Sequence, residues 1–289
     1  MRRALPYVSC NHPATKGSSV DDAVRRGDDE APEYPEDSDL PERHREPVFN
    51  LPGVILILIG ICTAVQLFRL YVLDPHQDMA FMIDCAFIPI RYTGPYALDF
   101  YAFISPVTYA FLHGGWTHLL VNMIWLAAFG SPLANRMGAS RFMGFWIFTA
   151  LAAALFHFLA HMTGNVPVVG ASGAISGMMG AASRFGFRIG RLDGRPAFAG
   201  PMLSVGQAFM SRAVVTFLAA WFVINLVAGM GWISPGIDGP IAWQAHIGGF
   251  LAGFFCTAFF VPPTYPLFPS DRADSDDPLE GSPLEKDRP

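Results

Sequence analysis

The chain alternates long apolar stretches with short groups of turn-forming and polar residues. A transmembrane helix needs roughly 20 mostly apolar residues, and six stretches approach that length without Asp, Glu or Lys in their interior. Helix breakers such as Asp74-Pro75 and Ser131-Pro132 separate them. We therefore predict an all-α, single-domain polytopic membrane protein. The six predicted spans are residues 52–73, 115–133, 141–162, 169–187, 213–232 and 241–262.

The composition agrees with this pattern and separates the two ends of the chain from its middle. Of 289 residues, 52% are hydrophobic and 15% are charged, against about 25% charged in ordinary soluble proteins. The ends hold most of the 24 acidic residues, with 11 in residues 1–50 and 7 in residues 263–289. We expect a disordered tail at 1–50, a membrane domain at 51–263 and an acidic disordered tail at 264–289. The lipid bilayer is the expected environment, and no nucleic-acid partner is expected.

Arginines flank the predicted spans asymmetrically. Loops that collect Arg and Lys lie on the cytoplasmic side of a membrane. The segments before span one, between spans two and three and between spans four and five hold most of them, whereas the alternate loops hold Arg91, with Arg69 near the outer end of span one. Both termini are therefore predicted to be cytoplasmic. The arginines assigned to that side are Arg43, Arg45, Arg136, Arg141, Arg184, Arg188, Arg191, Arg195 and Arg212.

The outer loop at 74–114 is unusually long. It is too polar to span a membrane, yet it contains many Phe, Tyr, Met and Ile residues. Its aromatic side chains could lie at headgroup level, with the segment half buried in the outer interface. Alternatively, the segment could form a small cap outside the membrane. The sequence leaves both possibilities open.

A few polar side chains fall near the start of three predicted spans. Polar groups inside a membrane are costly, and by default they indicate function. His118 and Asn122 open span two and, being four residues apart, share one helix face. Ser172 opens span four, and His246 opens span six. Since these three spans all run from outside to inside in the predicted topology, the four side chains should lie at similar depth toward the outer side.

Glycines on spans four and six predict that these two helices pack closely. Small residues repeated on one helix face let backbones approach in lipid. If the two faces meet, Ser172 and His246 come within about 2.6–3.2 Å, the reach of a working nucleophile and base. The faces consist of Gly173, Gly177 and Gly180 on span four, and of His246, Gly249 and Gly253 on span six.

This arrangement suggests nucleophilic catalysis. His246 would take the proton of the Ser172 hydroxyl as it attacks a peptide carbonyl. The Ser172 backbone N–H, the Asn122 amide and the His118 ring would stabilise the oxyanion. Span four has no carboxylate, and the nearest one to His246 in sequence is Asp238, in a loop. We therefore predict a Ser–His dyad without an acid.

Other chemistries fit the residue inventory less well. The only lysines, Lys16 and Lys286, lie in the tails, no Asp lies in a span, and there is no H-E-x-x-H motif. His157 and His161 form an H-x-x-x-H pair on span three that could ligate haem or a metal ion, or could simply line the end of the helix. No cofactor or metal is predicted. Taken singly, each polar residue could also serve helix packing, and it is their conjunction that favours function.

Three motifs resemble those of the rhomboid family of intramembrane serine proteases. They are residues 113–123, 170–173 and 245–249, which match H-G-x-x-x-H-x-x-x-N-M, G-x-S-G and A-H-x-G-G in order on spans two, four and six. The resemblance covers roughly residues 52–262. It implies a six-helix core with a water-filled cavity open to the exterior, and cleavage of transmembrane protein substrates near their outer membrane face.

The resemblance also implies roles for single residues. It makes Ser172 the nucleophile and His246 the base, places His118 and Asn122 at the oxyanion site and gives His113 a structural role. Inactive relatives lack the Ser or the His, and this chain keeps both. The six spans imply the simplest, bacterial-type architecture, in a bacterial inner (plasma) membrane. Oligomeric state is not indicated.

The sequence departs from the family pattern at three places. Asn135 stands where many members have Glu, and Ser176 replaces a Tyr that in some members packs on the catalytic His. The Trp-Arg pair of the first outer loop is absent, with Arg91-Tyr92 nearby. Two other functions remain open: a non-proteolytic adaptor that binds transmembrane clients with the same fold, and a haem-binding redox protein that uses His157 and His161.

Overall fold

The computed structural model describes residues 51–230 and 242–262. The predicted tails at 1–50 and 264–289 lie outside the described residues, as do Asp238, residue 241 at the predicted start of span six and residue 263 at the end of the predicted membrane domain. Within the described part the chain is mostly helical, as predicted.

The helices follow one another with short connections. The first half contains α1 (Gly53–Tyr71), α2 (Pro75–Cys85), α3 (Ile90–Thr93), α4 (Phe100–Thr108), a 3-10 turn (Tyr109–Phe111), α5 (Trp116–Trp125), a π-helical turn (Leu126–Gly130) and α6 (Ser131–Met137). The second half contains α7 (Ala139–Ala160), α8 (Ser172–Arg184), strands β1 (Ile189–Leu192) and β2 (Arg195–Phe198), α9 (Val205–Met210), α10 (Arg212–Gly229), α11 (Trp243–Cys256) and a 3-10 turn (Thr257–Phe259).

Four helical segments in the described part of the chain are long and apolar enough to cross a membrane. Helices α8 and α11 have 13 and 14 residues, which is shorter than a full span requires. The structure therefore supports a polytopic helical membrane protein, while the six-span count and the direction of the termini stay predictions. The four segments are Gly53–Tyr71, Trp116–Met137, Ala139–Ala160 and Arg212–Gly229.

The predicted helix break at Ser131-Pro132 is wrong. The helical path runs from Trp116 to Met137 and ends at Gly138, whose φ is +81°. A proline normally breaks a helix because it has no N–H and its ring meets the preceding turn. Here the π-helical turn Leu126–Gly130 shifts the hydrogen-bond register just before Pro132, which becomes an early residue of α6. Proline is tolerated at such a position.

The segment 184–201, expected to be an irregular breaker, contains the one departure from an all-helical fold among the described residues. Strands β1 and β2 pair antiparallel, with Leu192 opposite Arg195. Their turn is Asp193-Gly194, with φ values of +49° and +76°, as the tight turn of a hairpin requires. The amide of Asn135 donates to the Pro196 carbonyl at 2.8 Å, so this residue ties α6 to the hairpin.

The outer segment 74–114 is folded and fastened to its neighbours. Arg69 on α1 pairs with Asp78 on α2 at 2.7 Å and donates to the His113 carbonyl, also at 2.7 Å. The Tyr92 hydroxyl donates to the Ala102 carbonyl at 2.6 Å, and burial raises the pKa of Tyr92. The exposed rings of Tyr96, Phe100 and Phe103 are what we expect of a segment at headgroup level.

Helix α8 lies at the centre of the packed helices. Every residue from Gly173 to Arg184 is buried. A methyl group built on Gly249 would fall on the Gly173 carbonyl, and one built on Gly253 would fall on the Gly177 carbonyl. The backbones of α8 and α11 are therefore in direct contact, through the glycine faces that the sequence pointed to.

Candidate active site

Ser172 and His246 meet where α8 and α11 begin. Ser172 is the first residue of α8, and His246 lies in the first turn of α11. The Ser172 Oγ and the His246 Nε2 are 2.7 Å apart, within the distance of a nucleophile and its general base. The direct contact of the two helix backbones positions this pair.

The loop before α8 holds Ser172 at the helix start. Phe87 and Val168 exchange two backbone hydrogen bonds of 3.1 and 2.9 Å, and the Gly170 N–H donates to the Tyr109 carbonyl at 2.9 Å. Gly170 has a φ of +117°, and a methyl group there would lie 2.7 Å from the His118 Nε2. Both the backbone angle and the space require glycine at this position.

His118 and Asn122 face the same site from α5. The His118 Nδ1 accepts the Gly114 N–H at 3.3 Å, so the neutral ring carries its proton on Nε2, the nitrogen beside Gly170. The Asn122 Nδ2 donates to the His118 carbonyl at 2.8 Å. That contact uses one amide hydrogen and leaves the second for a ligand.

These side chains line a cavity of about 480 Å³. Its polar groups are few and its walls are apolar, which is the usual make-up of a binding site. The walls are supplied mainly by α5 and α10, so the cavity lies between these two helices. The apolar lining residues from them include Val121, Trp125, Phe217, Trp221 and Ile224.

Asn225 on α10 is a site residue that the sequence reasoning missed. Its Oδ1 lies 2.6 Å from the His246 Nδ1, on the side of the ring away from Ser172. A signal was present, since Asn225 is the one side-chain amide in the predicted span 213–232, where polar groups indicate function. Among the described residues that line the cavity there is no carboxylate.

The other histidines do not join this site. His113 is fully buried, does not line the cavity and packs edge-on against His118, with ring centroids 5.2 Å apart. The rings of His157 and His161 are 4.8 Å apart at the end of α7. Within residues 51–230 and 242–262, no group of three or more His, Cys, Asp or Glu side chains is placed to hold a metal ion. The pair on α7 therefore offers two ligands at most.

A helical membrane protein whose serine hydroxyl contacts an imidazole beside a cavity has the arrangement of a serine hydrolase. Comparison with known proteins agrees with this class. A sequence profile of the Rhomboid domain matches residues 101–263, more than half of the chain. The chain belongs to the rhomboid family.

Individual relatives come from several kinds of organism. The chain is 39% identical over 162 residues to Rhomboid protein 1, mitochondrial, of Saccharomyces cerevisiae, and 31% identical over 147 residues to RHOMBOID-like protein 5 of Arabidopsis thaliana. It is 27% identical over 160 residues to Rhomboid protease GluP of Bacillus subtilis. These matches cover 52, 50 and 55% of this chain, but 40, 40 and 26% of the relatives.

At the level of the family, the match supports an integral membrane protein and intramembrane serine protease. The relatives include plant, yeast and bacterial proteins, one of them mitochondrial by name. A bacterial inner membrane therefore remains a prediction for this chain.

Proposed function

We propose that this protein is an intramembrane serine endopeptidase that hydrolyses peptide bonds in or near the transmembrane segments of other membrane proteins. Ser172 is the nucleophile and His246 the general base. The observation that carries the proposal is the 2.7 Å contact between the Ser172 Oγ and the His246 Nε2 at the wall of a cavity.

The reaction follows from this contact in two halves. His246 accepts the hydroxyl proton through Nε2 as the Ser172 Oγ attacks the peptide carbonyl carbon. The imidazolium then gives this proton to the leaving amide nitrogen, so that the C–N bond breaks and an acyl-enzyme remains. Water enters next, His246 takes its proton, and the hydroxide attacks the ester. Collapse of this second intermediate returns the proton to Ser172 and releases the new carboxylate.

The oxyanion of each tetrahedral intermediate is stabilised from two helices. Ser172 occupies the first position of α8, where a backbone N–H has no partner inside the helix and the helix dipole is positive. The Nε2–H of His118 and the second amide hydrogen of Asn122 supply donors from α5. Loss of one such donor typically slows an enzyme on the order of a hundredfold or more.

The substrate class follows from the walls of the cavity. Val121, Trp125, Phe217 and Ile224 offer apolar surface from α5 and α10, which suits an apolar segment entering between these helices. A substrate helix hides its carbonyls in i→i−4 hydrogen bonds. We therefore propose that the cleaved segment contains Gly, Pro or another small residue that weakens the helix near the cut.

The architecture around this site is proposed to be the predicted six-span bundle with both termini in the cytoplasm. The arginines between α8 and α10 and the family membership support it. Single cysteines placed in the 189–198 hairpin and in α2, on a cysteine-free background, test the orientation with a membrane-impermeant maleimide. Labelling of α2 from outside and of the hairpin from inside is expected, and the opposite result would reverse the topology.

The decisive experiment compares wild type with Ser172→Ala and His246→Ala on a reporter transmembrane substrate in liposomes. Both variants should lose cleavage while keeping the thermal stability of wild type. Ser183→Ala is the matched control, because Ser183 is buried on the same helix and bonds only the Met179 carbonyl, at 2.9 Å. Substantial cleavage by either site variant contradicts the proposal.

A fluorophosphonate probe separates the proposal from the adaptor alternative. An activated Ser172 should react with the probe in wild type and leave no label in Ser172→Ala. A purified, folded wild-type protein that binds transmembrane clients but takes no label at Ser172 would instead favour a non-proteolytic adaptor.

A further inference from the structure

We propose that Asn225 is the positioning residue of His246. Its amide oxygen holds the imidazole in the tautomer that keeps Nε2 free to take the Ser172 proton. This inference rests on the proposed function and adds a third side chain to the pair predicted from the sequence. The argument has three steps: the orientation of the amide, the tautomer of the ring and the surroundings of the pair.

The orientation of the Asn225 amide is fixed by the helix that carries it. One amide atom lies 2.8 Å from the backbone carbonyl of Trp221, one turn earlier on α10. A carbonyl oxygen only accepts hydrogen bonds, so the atom facing it must be the NH2 group. The oxygen Oδ1 is therefore the atom that faces His246, at 2.6 Å from its Nδ1.

The oriented amide in turn decides the tautomer of His246. The Oδ1 of Asn225 has no hydrogen to give, so the Nδ1 of His246 must donate. A neutral imidazole with its hydrogen on Nδ1 carries a lone pair on Nε2, and this nitrogen lies 2.7 Å from the Ser172 Oγ. The opposite tautomer would set two lone pairs against each other at Nδ1 and leave Nε2 unable to accept a proton.

The surroundings leave this task to the amide. The other titratable side chains that line the cavity in the described part of the chain are His118 and Tyr109. His118 faces Gly170 and bonds Gly114, and the Tyr109 hydroxyl donates to the Ala150 carbonyl at 2.9 Å. Asn225 is thus a neutral acceptor in the place where soluble triads carry an acidic side chain.

The structure also shows what holds Asn225 in place. Val214 is the one buried side chain of α10, so this helix is loosely enclosed. The rings of Trp221 and Phe250 pack with centroids 4.5 Å apart and join α10 to α11 one turn from Asn225. The Asn225–His246 hydrogen bond is therefore a polar contact between a lightly packed helix and the base.

Asn225→Leu tests the proposal, because leucine has a similar volume and no acceptor. We expect kcat on the reporter substrate to fall by about ten- to a hundredfold, the loss that follows from leaving a buried donor unpaired, with KM little changed. Fluorophosphonate labelling of Ser172 should slow to a similar extent. Thr216→Val is the matched control, since it removes a polar group from an exposed position of the same helix and should keep wild-type kcat.

Asn225→Asp separates positioning from packing. Aspartate keeps an oxygen toward Nδ1 whether it is ionised or protonated, so kcat should recover at least tenfold over Asn225→Leu. Wild-type kcat in Asn225→Leu, or no recovery in Asn225→Asp at wild-type thermal stability, overturns the inference. Failure of the proposed function has a different signature, namely cleavage that persists in Ser172→Ala.

Discussion

The α-carbon of Gly249 rests against the backbone carbonyl of Gly173, with no room for a methyl group between them. The same contact recurs one turn further on, between Gly253 and Gly177. Each glycine of α11 thus lies against a carbonyl of α8, and the spacing of the two helices is set by backbone atoms. Ser172 and His246 stand at the open end of this contact, so their separation depends on it.

Gly249→Ala should therefore disable the enzyme. The added methyl group must push α8 and α11 apart, and overpacking of this kind costs about 1–3 kcal/mol. We expect lower thermal stability in detergent and a fall in kcat of at least tenfold, because the Ser172–His246 distance grows. In an unconstrained helix the same change would stabilise by up to about 1 kcal/mol.

Gly60→Ala is the matched control for this prediction. Gly60 lies inside α1, is exposed, and has nothing within 4 Å of an added methyl group. That variant should keep its activity and gain a little stability. An active, stabilised Gly249→Ala protein would show that the close helix contact does not set the site.

Gly170→Ala should remove activity through the loop before α8. A residue with a side chain is strained by about 1–2 kcal/mol at a positive φ, and here the methyl group would also displace the His118 ring. Gly194→Ala isolates the strain, because Gly194 has a φ of +76° with open space around it. Cleavage should survive in Gly194→Ala and fall at least a hundredfold in Gly170→Ala, and equal activities would rule out this role for Gly170.

Asn122→Ala should slow turnover more than it weakens binding. If the amide serves the oxyanion, its removal lowers kcat by about a hundredfold while KM changes little. Asn135→Ala is the comparison, since Asn135 bonds the hairpin and does not line the cavity. Steady-state kinetics on the reporter substrate measure both, and an unchanged kcat in Asn122→Ala removes this residue from the oxyanion site.

Acid should destabilise the fold through His113. This residue lies in the turn between α4 and α5, outside the spanning helices, and burial, followed by the nearby His118, lowers its pKa to about 3. The unfolded chain binds the proton near pH 6.5, so the stabilising contribution is complete above that pH and declines as the pH falls toward 3. At pH 5 the loss is about 2 kcal/mol.

His113→Phe should make unfolding in detergent less dependent on pH between 7.5 and 5. His76→Gln supplies the reference, because His76 is an exposed histidine on α2 and its removal should leave the pH dependence as in wild type. The same slope in all three proteins would contradict a buried, neutral His113.

Much of this architecture can be predicted from the sequence, and the reason is the cost of polar groups in lipid. Long apolar stretches had to be helices, and α7 at Ala139–Ala160 lies within two residues of its prediction at each end. Polar residues and glycines on spans four and six had to face protein. That constraint singled out Ser172 and His246, whose side chains the structure places in contact.

The rest depends on local geometry that hydropathy does not carry. Pro132 continues a helix because a π-helical turn precedes it, and nothing in the apolar pattern distinguishes that turn from a break. The 189–198 hairpin depends on the Asp193-Gly194 turn within an arginine-rich stretch. Asn225 is a single amide whose significance depends on where α10 lies relative to His246, which is a tertiary contact.

The glycine contacts between α8 and α11 limit the direction in which mutation can change this enzyme. No amino acid is smaller than glycine, so any replacement at these positions can only widen the gap between the two helices. The pair is already at the closest approach that a polypeptide allows. Faster or more robust variants must therefore be sought in the cavity walls, the outer segment or the loosely enclosed α10.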